Sequence, residues 1–328
     1  MTILLSGGSG FLGSHIAEQL ADQGQAVRAL VRKTSDTSFL EQLSGVELVE
    51  ASLSDRKALI AAAEGVTAII HCAGLVKARS EDDFLRVNVG GTENMLAAAA
   101  AHRETLQRFV LVSSQTAGGP SDAAGNPVDA ESPARPVSAY GRSKRAAERV
   151  AIAQQDQLPI TILRPPAIYG PRDREILAFF RALRYRLLPY MGSPDNKLSI
   201  IYGPDCAGAC IAAVSADVPS GSIYYVDDGA VHTFRELVAA AEAALDTRAW
   251  VRFPLPERLV RAVALANEYY GRSTDRAVML TRDKCNELFN QWVCDGSGAR
   301  AAFGWEPRVG IREGFQLTGT WYRDHGWL

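Results

Sequence analysis

The sequence predicts an α/β fold, a doubly wound parallel sheet followed by a smaller, mostly helical C-terminal part. Two features of the chain support this prediction. In the first half, short apolar runs rich in β-branched residues alternate with longer stretches in which apolar residues recur at helical spacing. After Arg164 the alternation loosens because prolines interrupt it, although helical stretches recur. The length of 328 residues is enough for one large domain or two coupled ones.

The predicted elements alternate as a parallel sheet requires. Such alternation implies right-handed crossovers, with helices on both faces of the sheet. Strands are expected at 2–6, 27–31, 46–50, 67–71, 109–113 and 160–163, with helices between them at 11–23, 55–64, 81–101 and 138–156. Further helices are expected at 173–187, 205–216, 233–245, 256–270 and 311–324, and further strands at 198–202 and 222–226.

The composition is that of an ordinary globular protein and excludes several classes of function. Hydrophobic residues make up 47% of the chain, and 35 Lys and Arg oppose 37 Asp and Glu, which gives a net charge of −2. This balance offers no basic field for nucleic acid or anionic lipid. No apolar run reaches the ~18 residues of a membrane span, and no basic segment precedes the first strand, so we expect a cytoplasmic protein. The five scattered cysteines indicate reduced thiols.

A glycine-rich turn directly follows the first predicted strand. The segment Ser6-Gly7-Gly8-Ser9-Gly10-Phe11-Leu12-Gly13 satisfies both G-x-G-x-x-G and G-x-x-G-x-x-G. Glycine serves there to make a tight turn, to admit a diphosphate close to the backbone and to pack the helix on the strand. The diphosphate would lie on the unpaired N–H groups of the helix N-terminus. We therefore predict a Rossmann dinucleotide-binding domain over residues 1–163, completed by the strand near 222–226, and a substrate-binding lid over residues 164–328.

The end of the second strand indicates which dinucleotide binds. A carboxylate about 20 residues beyond the glycine turn would bind the ribose 2′-OH and select NAD. This chain has Arg32 and Lys33 at that place, and Asp36 comes later. Two cations suit a 2′-phosphate, so NADP(H) is the predicted cofactor, with NAD(H) as the alternative.

Tyr140 and Lys144 form a candidate acid/base pair. Ser138 is a plausible N-cap of the helix that carries them, and a spacing of four places both side chains on one face. A nearby ammonium favours phenolate, which makes the pair suited to proton transfer. The fifth predicted strand ends in Ser113-Ser114-Gln115-Thr116, at the carboxyl end of a parallel strand, where open α/β sheets bind ligands. Ser114 could hydrogen-bond a reacting carbonyl oxygen.

These motifs together resemble the extended short-chain dehydrogenase/reductases, of the NAD-dependent epimerase/dehydratase superfamily. The resemblance rests on the glycine turn, on Tyr140-x-x-x-Lys144 with Ser114, and on three further strings. The strings are Val87-Asn88-Val89-Gly90-Gly91-Thr92, Leu163-Arg164-Pro165-Pro166-Ala167-Ile168-Tyr169-Gly170-Pro171 and Phe303-Gly304-Trp305-Glu306-Pro307.

The resemblance implies a role for each matching residue. Tyr140 would be the proton donor and acceptor, Lys144 would bind the nicotinamide ribose and lower the Tyr140 pKa, and Ser114 would orient the carbonyl, with Thr116 as a secondary candidate. The cofactor-binding residues would be Gly7, Gly10, Phe11, Leu12, Gly13, Arg32, Lys33, Leu53, Cys72, Ala73, Gly74, Asn88, Lys144, Pro165 and Ile168. Helices 81–101 and 138–156 would form the contact of a homodimer.

Three departures from the family pattern narrow the activity. Ser52 replaces an Asp that touches the adenine amine in many relatives. Dehydratase relatives carry an Asp-Glu pair after the active-site hydroxyl, whereas Gln115 and Ala117 flank Thr116 here. Epimerases usually carry Asn at the position of Ala167. The segment 113–120 looks more like the 3β-hydroxysteroid dehydrogenase and dihydroflavonol reductase branch.

We therefore predict an NADP(H)-dependent oxidoreductase that interconverts a ketone and a secondary alcohol on a fairly apolar small molecule, which is steroid-, flavonoid- or β-keto-acid-like. One alternative is a nucleotide-sugar epimerase with tightly bound NAD, for which Arg172 and the Arg181/Arg184/Arg186 group are the best argument. A second alternative is a subunit that binds dinucleotide without catalysis.

The second half of the chain offers weaker signals. Its aromatic and apolar side chains are predicted to be mostly core, though they could line a substrate surface: Phe179, Phe180, Tyr185, Leu188, Tyr190, Met191, Tyr202, Tyr269 and Tyr270. The run Leu259–Leu265 could lie on a membrane, but Arg261 interrupts it, so a buried helix is expected. Cys206 and Cys210 lie four apart without a second ligand pair, and no metal site is assigned.

Overall fold

The chain forms a seven-stranded parallel sheet in a computed structural model, which describes residues 1–274, 278 and 280–328. The strands of this sheet, numbered in chain order, are β1 (Thr2–Ser6), β2 (Ala26–Val31), β3 (Val46–Glu50), β4 (Ala68–His71), β5 (Arg108–Val112), β6 (Ile160–Arg164) and β11 (Ser222–Tyr225). Their spatial order is β3-β2-β1-β4-β5-β6-β11, so the direction of winding reverses between β1 and β4. The predicted doubly wound α/β fold is confirmed.

Helices cover both faces of the sheet because neighbouring strand residues point to opposite sides. Ile3 and Leu5 belong to the apolar core beneath α1 and α8, whereas Leu4 belongs to the core beneath α2, α4 and α6. The bounds of these helices are α1 (Phe11–Asp22), α2 (Arg56–Ala62), α3 (Glu81–Phe84), α4 (Gly90–Ala101), α5 (Gln115–Gly118), α6 (Ala139–Ile152) and α8 (Gly203–Ser215). The region predicted as one helix over 81–101 is continuous, but the segment Leu85–Val89 between α3 and α4 is a π-helix.

The second half of the chain contributes to the main sheet and its helices as well as to the lid. Strand β11 extends the main sheet beside β6, and α8 packs with α1 on one face of it. The division at residue 163 stays a prediction, but α8 and β11 lie with the sheet rather than with the lid.

Most of the remaining elements form the lid, around an aromatic core of its own, whereas the helix Ser297–Phe303 packs in the core beneath α1 and α8. Phe180, Phe315 and Tyr322 are fully buried in the core of the lid, and the ring of Phe180 contacts the rings of the other two. The helices of the lid are α7 (Ile176–Arg184), α9 (Phe234–Ala244), α10 (Glu257–Thr274), α11 (Arg282–Leu288) and α13 (Ile311–Asp324), and the helix on the main sheet is α12 (Ser297–Phe303). The short strands pair as β7 (Ala167–Tyr169) with β10 (Ile200–Tyr202), β9 (Lys197–Leu198) with β12 (His232–Thr233), and β8 (Leu187–Met191) with β13 (Val251–Leu255).

Two expectations for the lid need correction. Of its aromatic side chains, Phe180 and Tyr202 are buried, but Tyr185, Tyr269 and Tyr270 are exposed. Helix α10 is not a buried helix, because Val260 and Ala264 face the interior while the residues between them and beyond them are largely exposed. No helix in the described part of the chain combines the length and the apolar character needed to cross a bilayer.

Candidate active site

The carboxyl ends of the central strands bring the predicted site residues to one edge of the sheet. Ser6 at the end of β1 pairs with Leu30 of β2 and with His71 of β4, and His71 pairs with Leu111 of β5. The glycine turn and the segments that follow β2, β4, β5 and β6 therefore emerge side by side. In open α/β sheets this edge, at the reversal of strand order, is where ligands bind.

The glycine turn has the geometry of a diphosphate cradle. Gly7 has φ +79°, and a Cβ at that position would lie 2.8 Å from the amide nitrogen of Ala73. A Cβ at Gly13 would lie 2.0 Å from the carbonyl oxygen of Gly7, so α1 can only pack this closely on the turn through glycine. Gly10 caps α1 without a side-chain hydrogen bond, and the first turn of α1, which begins with Phe11, carries no acidic residue. The N–H groups of this helix end thus remain available to an anion.

The segment after β4 lies directly against this turn. The hydroxyl of Ser6 accepts a hydrogen bond from the Ala73 amide at 3.2 Å and lies 2.6 Å from Nδ1 of His71. Burial lowers the pKa of His71 to about 3, so this histidine is a neutral link between strands. Burial also raises the pKa of the Cys72 thiol to about 12, which keeps the thiol protonated beside the turn.

Asn88 fixes the continuation of that segment. Its side-chain oxygen accepts a hydrogen bond from the Leu75 amide at 2.7 Å, and its amide nitrogen donates to the Leu75 carbonyl at 3.1 Å and to the Ser143 hydroxyl at 2.9 Å. Asn88 lies in the π-helical segment and is buried. It therefore ties the loop beyond Gly74 to helix α6, next to Lys144.

Ser114 and Tyr140 meet because α6 approaches the end of β5 unusually closely. A Cβ at Gly141 would lie 2.4 Å from the carbonyl oxygen of Thr116, so only glycine allows this approach. The Ser114 hydroxyl accepts hydrogen bonds from the Thr116 amide at 3.2 Å and the Thr116 hydroxyl at 2.9 Å. A serine hydroxyl has two lone pairs and one proton, so Ser114 is left as a donor.

The pKa of Tyr140 is raised overall, whereas the resemblance implied that Lys144 would lower it. Burial is the largest cause, a hydrogen bond from Ser114 works in the opposite direction, and the nearby Glu287 raises the pKa further. Since a buried phenolate is costly, the groups of the protein keep Tyr140 as a neutral phenol. In this form it can donate a proton.

Lys144 is buried one helical turn beyond Tyr140. Its ammonium donates a hydrogen bond to the carbonyl oxygen of Val112 at 2.7 Å. Burial lowers the pKa of Lys144, while Cys72 and Glu148 act against that shift. Cys72, which follows β4, also acts to raise the pKa of Tyr140.

A buried charge network lies behind these residues. Glu148 of α6 is fully buried and accepts two hydrogen bonds from Arg164, at 2.8 and 2.7 Å, and one from Ser113 at 2.6 Å. Arg145 donates a further bond to it at 2.9 Å. Because Ser113 precedes Ser114, and Arg164 precedes Pro165, the network joins the strand ends β5 and β6 to the helix of Tyr140.

The other predicted cofactor residues lie around the same edge. Pro165 is buried and its carbonyl accepts the amide of Gln115 at 2.8 Å, while Ile168 in β7 is half-buried. Arg32 and Lys33 follow β2 and are exposed. The half-buried Leu53 lies after β3, with Leu12 buried in α1, and these two complete the set.

Helix α11 supplies two residues that the sequence analysis did not single out. Asp283 accepts hydrogen bonds from the Ala139 amide at 2.7 Å, at the start of α6, and from Arg142 at 3.1 Å. Glu287 is 8% exposed and acts on the Tyr140 pKa. Neither residue belongs to a motif, and about 140 residues separate them from α6, so no local pattern indicates them.

Comparison with known proteins shows the family. The profile of the NAD dependent epimerase/dehydratase family matches residues 3–226. The chain belongs to this family. A ceramide reductase of Caulobacter vibrioides is 34% identical over 99% of this chain and 96% of the relative. A 2-alkyl-3-oxoalkanoate reductase of Stenotrophomonas maltophilia is 29% identical, over 96% and 98% of the two chains.

The fold agrees with that assignment. The structure of a dTDP-glucose 4,6-dehydratase from Streptomyces venezuelae, with NAD bound, superposes with a TM-score of 0.81 over 100% of this chain and 98% of that one, at 23% identity. Membership confirms the predicted resemblance to the extended short-chain dehydrogenase/reductases, and the chain is an NAD(P)-dependent enzyme of the oxidoreductase type. The homodimer and the cytoplasmic location stay predictions.

Proposed function

We propose that this protein is an NADP(H)-dependent reductase that interconverts a ketone and a secondary alcohol on an apolar substrate. The observation that carries the proposal is the convergence of Ser114, Tyr140 and Lys144 at the sheet edge that also holds the glycine turn. The relatives named as reductases of a ceramide and of 2-alkyl-3-oxoalkanoates support a reductase. The second name describes a 3-oxo acid, which favours the β-keto-acid-like class among the three predicted.

The residues present fit a dinucleotide. The uncapped N-terminus of α1 would hold the diphosphate, and Lys144 would reach the nicotinamide ribose. Arg32 and Lys33 would bind the 2′-phosphate that distinguishes NADP from NAD, since they are exposed directly after β2. When bound, the nicotinamide supplies or accepts the hydride.

The protein's part in the reaction is to control the proton and the carbonyl oxygen. Tyr140, held as a phenol, donates its proton as the carbonyl oxygen gains negative charge, so that no free alkoxide forms. Ser114 already accepts two hydrogen bonds from Thr116, and its one proton is directed to Tyr140 without substrate. With substrate bound, Ser114 would turn this proton toward the carbonyl oxygen. In the reverse direction Tyr140 accepts the proton.

The epimerase alternative loses part of its support in the structure. Arg172, a candidate for clamping a sugar diphosphate, donates to Ser14 and Glu18 of α1 and stacks on Phe39 at 4.1 Å. Arg186 stacks on Trp250 at 4.1 Å. Both guanidinium groups thus have other partners.

The test is consumption of NADPH or NADH with a panel of steroids, flavonoids, β-keto acids and aldehydes, followed by product analysis. We expect stoichiometric oxidation of NADPH with at least one ketone. Conversion of a nucleotide sugar without net cofactor consumption would support the epimerase, and dinucleotide binding without any turnover would support the non-catalytic subunit.

Tyr140→Phe is expected to lower kcat by about 10²–10⁴-fold and to leave dinucleotide binding intact, because only the proton donor is lost. Tyr185→Phe is the matched control, since Tyr185 is 76% exposed in the lid. Wild-type turnover by Tyr140→Phe contradicts the proposed role.

The double variant Arg32→Ala, Lys33→Ala is expected to raise KM for NADPH by about tenfold or more, since each charge-assisted contact to a phosphate is worth about 1.5–3 kcal/mol. KM for NADH should change little. Equal effects on both cofactors contradict the assignment of the 2′-phosphate.

A further inference from the structure

Helix α10 exposes an apolar face to solvent, unlike an ordinary surface helix. From Arg258 to Tyr270 eight residues are exposed, and at 100° per residue they share an arc of about 160°. Seven of the eight are apolar or aromatic, and the eighth is Arg258: the seven are Leu259, Ala262, Val263, Leu265, Ala266, Tyr269 and Tyr270. A surface helix ordinarily turns its charged face to solvent and its apolar stripe to the core.

The strand that leads into α10 continues this pattern. Trp250 is 76% exposed, and Val251 and Phe253 of β13 are 49% and 40% exposed. We call these three residues and the exposed arc of α10 the α10 surface. Exposed apolar side chains gathered on one strand and on the helix that follows it are typical of a site of interaction with a protein or a membrane.

Positive charge is concentrated in and around the α10 surface. Six arginines lie in the stretches 184–191, 247–256 and 258–267: Arg184, Arg186, Arg248, Arg252, Arg258 and Arg261. Two of them are ion-paired with acidic residues outside these stretches, Arg252 with Glu242 and Arg261 with Glu257. The other four have no carboxylate partner among the described residues. The net charge of −2 for the whole chain conceals this local excess. Arginines beside exposed Trp, Tyr and Leu are the composition of a segment that lies in the headgroup layer of a bilayer.

Helix α11 connects α10 with the candidate active site. On the opposite side of α10, Val260 and Ala264 pack in one buried cluster with Cys285 of α11. The same α11 holds Asp283 on the start of α6 and Glu287 near Tyr140. Helix α11 therefore contacts both α10 and the start of the helix that carries Tyr140.

We propose that the α10 surface docks the protein on an anionic lipid membrane. The charge pattern argues against a second copy of this chain as the occupant. In a two-fold dimer the same surface faces itself, so one net positive surface would lie against another, whereas anionic headgroups neutralise the arginines that have no carboxylate partner. The inference concerns where the protein meets its substrate and does not depend on the proposed reaction.

Vesicle flotation of the full-length protein tests the proposal. We expect the protein to float with vesicles of equal parts phosphatidylcholine and phosphatidylglycerol, and to float much less with phosphatidylcholine alone. Flotation should fall in about 1 M salt, where the Debye length is about 3 Å. Arg258→Glu should weaken partitioning by about fivefold or more, because one cation near such a surface is worth about 1 kcal/mol.

The double variant Leu259→Asp, Val263→Asp should lower partitioning by about tenfold or more, since both side chains are already exposed and the fold does not need them. Leu317→Asp is the matched control, at a site 42% exposed on α13, and should partition as the wild type does. Unchanged thermal unfolding and dinucleotide binding verify that each variant is folded.

Two results overturn the proposal. One is a wild type that does not float with anionic vesicles, or that floats as well after the double substitution. The other is a wild-type dimer, seen by light scattering, that the double variant converts to monomer while neither protein binds vesicles, since the surface is then an interface between copies.

Discussion

The buried pair of Glu148 and Arg164 allows a quantitative test of how the site is held. The carboxylate is fully buried, Arg164 is 1% exposed, and four hydrogen bonds converge on Glu148 from Ser113, Arg145 and Arg164. Glu148→Gln preserves the shape of the side chain and removes its charge. The guanidinium of Arg164 then remains buried without a counter-charge.

Breaking a buried ion pair on one side costs about 3–5 kcal/mol. A domain is typically stable by about 5–15 kcal/mol, so the variant should fold but unfold at lower denaturant. Replacing both partners, as in Glu148→Leu with Arg164→Met, removes the uncompensated charge as well. We therefore expect the double variant to recover at least about half of the loss, since buried pairs replaced by apolar residues are often close to neutral.

The measurement is urea unfolding followed by tryptophan fluorescence, with the midpoint and the m-value fitted for each variant. Arg103→Ala is a suitable control, because its pair with Glu104 is exposed and such pairs contribute about 0–1 kcal/mol. A loss below about 1 kcal/mol for Glu148→Gln, or a double variant no more stable than the single one, refutes the reasoning. Folded Glu148→Gln should also show a lower kcat with dinucleotide affinity kept, because Ser114 follows Ser113.

Two further predictions concern the links between elements. Hydrogen bonding, first with His15 and then with Arg172, lowers the pKa of Glu18 to about 2. Because the folded state favours the carboxylate, Glu18 stabilises the wild type relative to Glu18→Gln above about pH 4.5. This difference in the free energy of unfolding should vanish as the pH falls toward about 2. Unfolding curves of both proteins at each pH measure it. Asp283→Ala should cost about 0.5–2 kcal/mol, as loss of a helix cap does, because the Ala139 amide loses its acceptor. An unfolding midpoint equal to that of the wild type contradicts this cap.

Local patterns account for most of what the sequence predicted correctly. The strands of the main sheet were predicted within about one residue of their observed bounds, because alternating burial leaves a period in the sequence. The glycine turn was predictable because its requirements are local. Gly7 is required by its positive φ, and Gly13 is required because a Cβ there would collide with the carbonyl oxygen of Gly7 in the same turn. Tyr140 and Lys144 share a helix, so their spacing alone places them together.

What the sequence could not determine depends on burial and on contacts between distant segments. Asp283 and Glu287 reach α6 only through the fold of the lid, and no spacing records that approach. The direction of the Tyr140 pKa follows from burial, which outweighs the nearby hydrogen bond and is a property of the packed molecule.

The sequence by itself predicted the sheet and the glycine turn, because each is encoded by neighbours within a few positions. It predicted the candidate catalytic residues through the combination of motifs that resembles the family. Only the tertiary structure decided that Ser114 is a donor, that α8 lies on the main sheet and that α10 turns its apolar arc outward. An amphipathic pattern states that a helix has two faces, but which face meets the protein depends on the elements packed beside it.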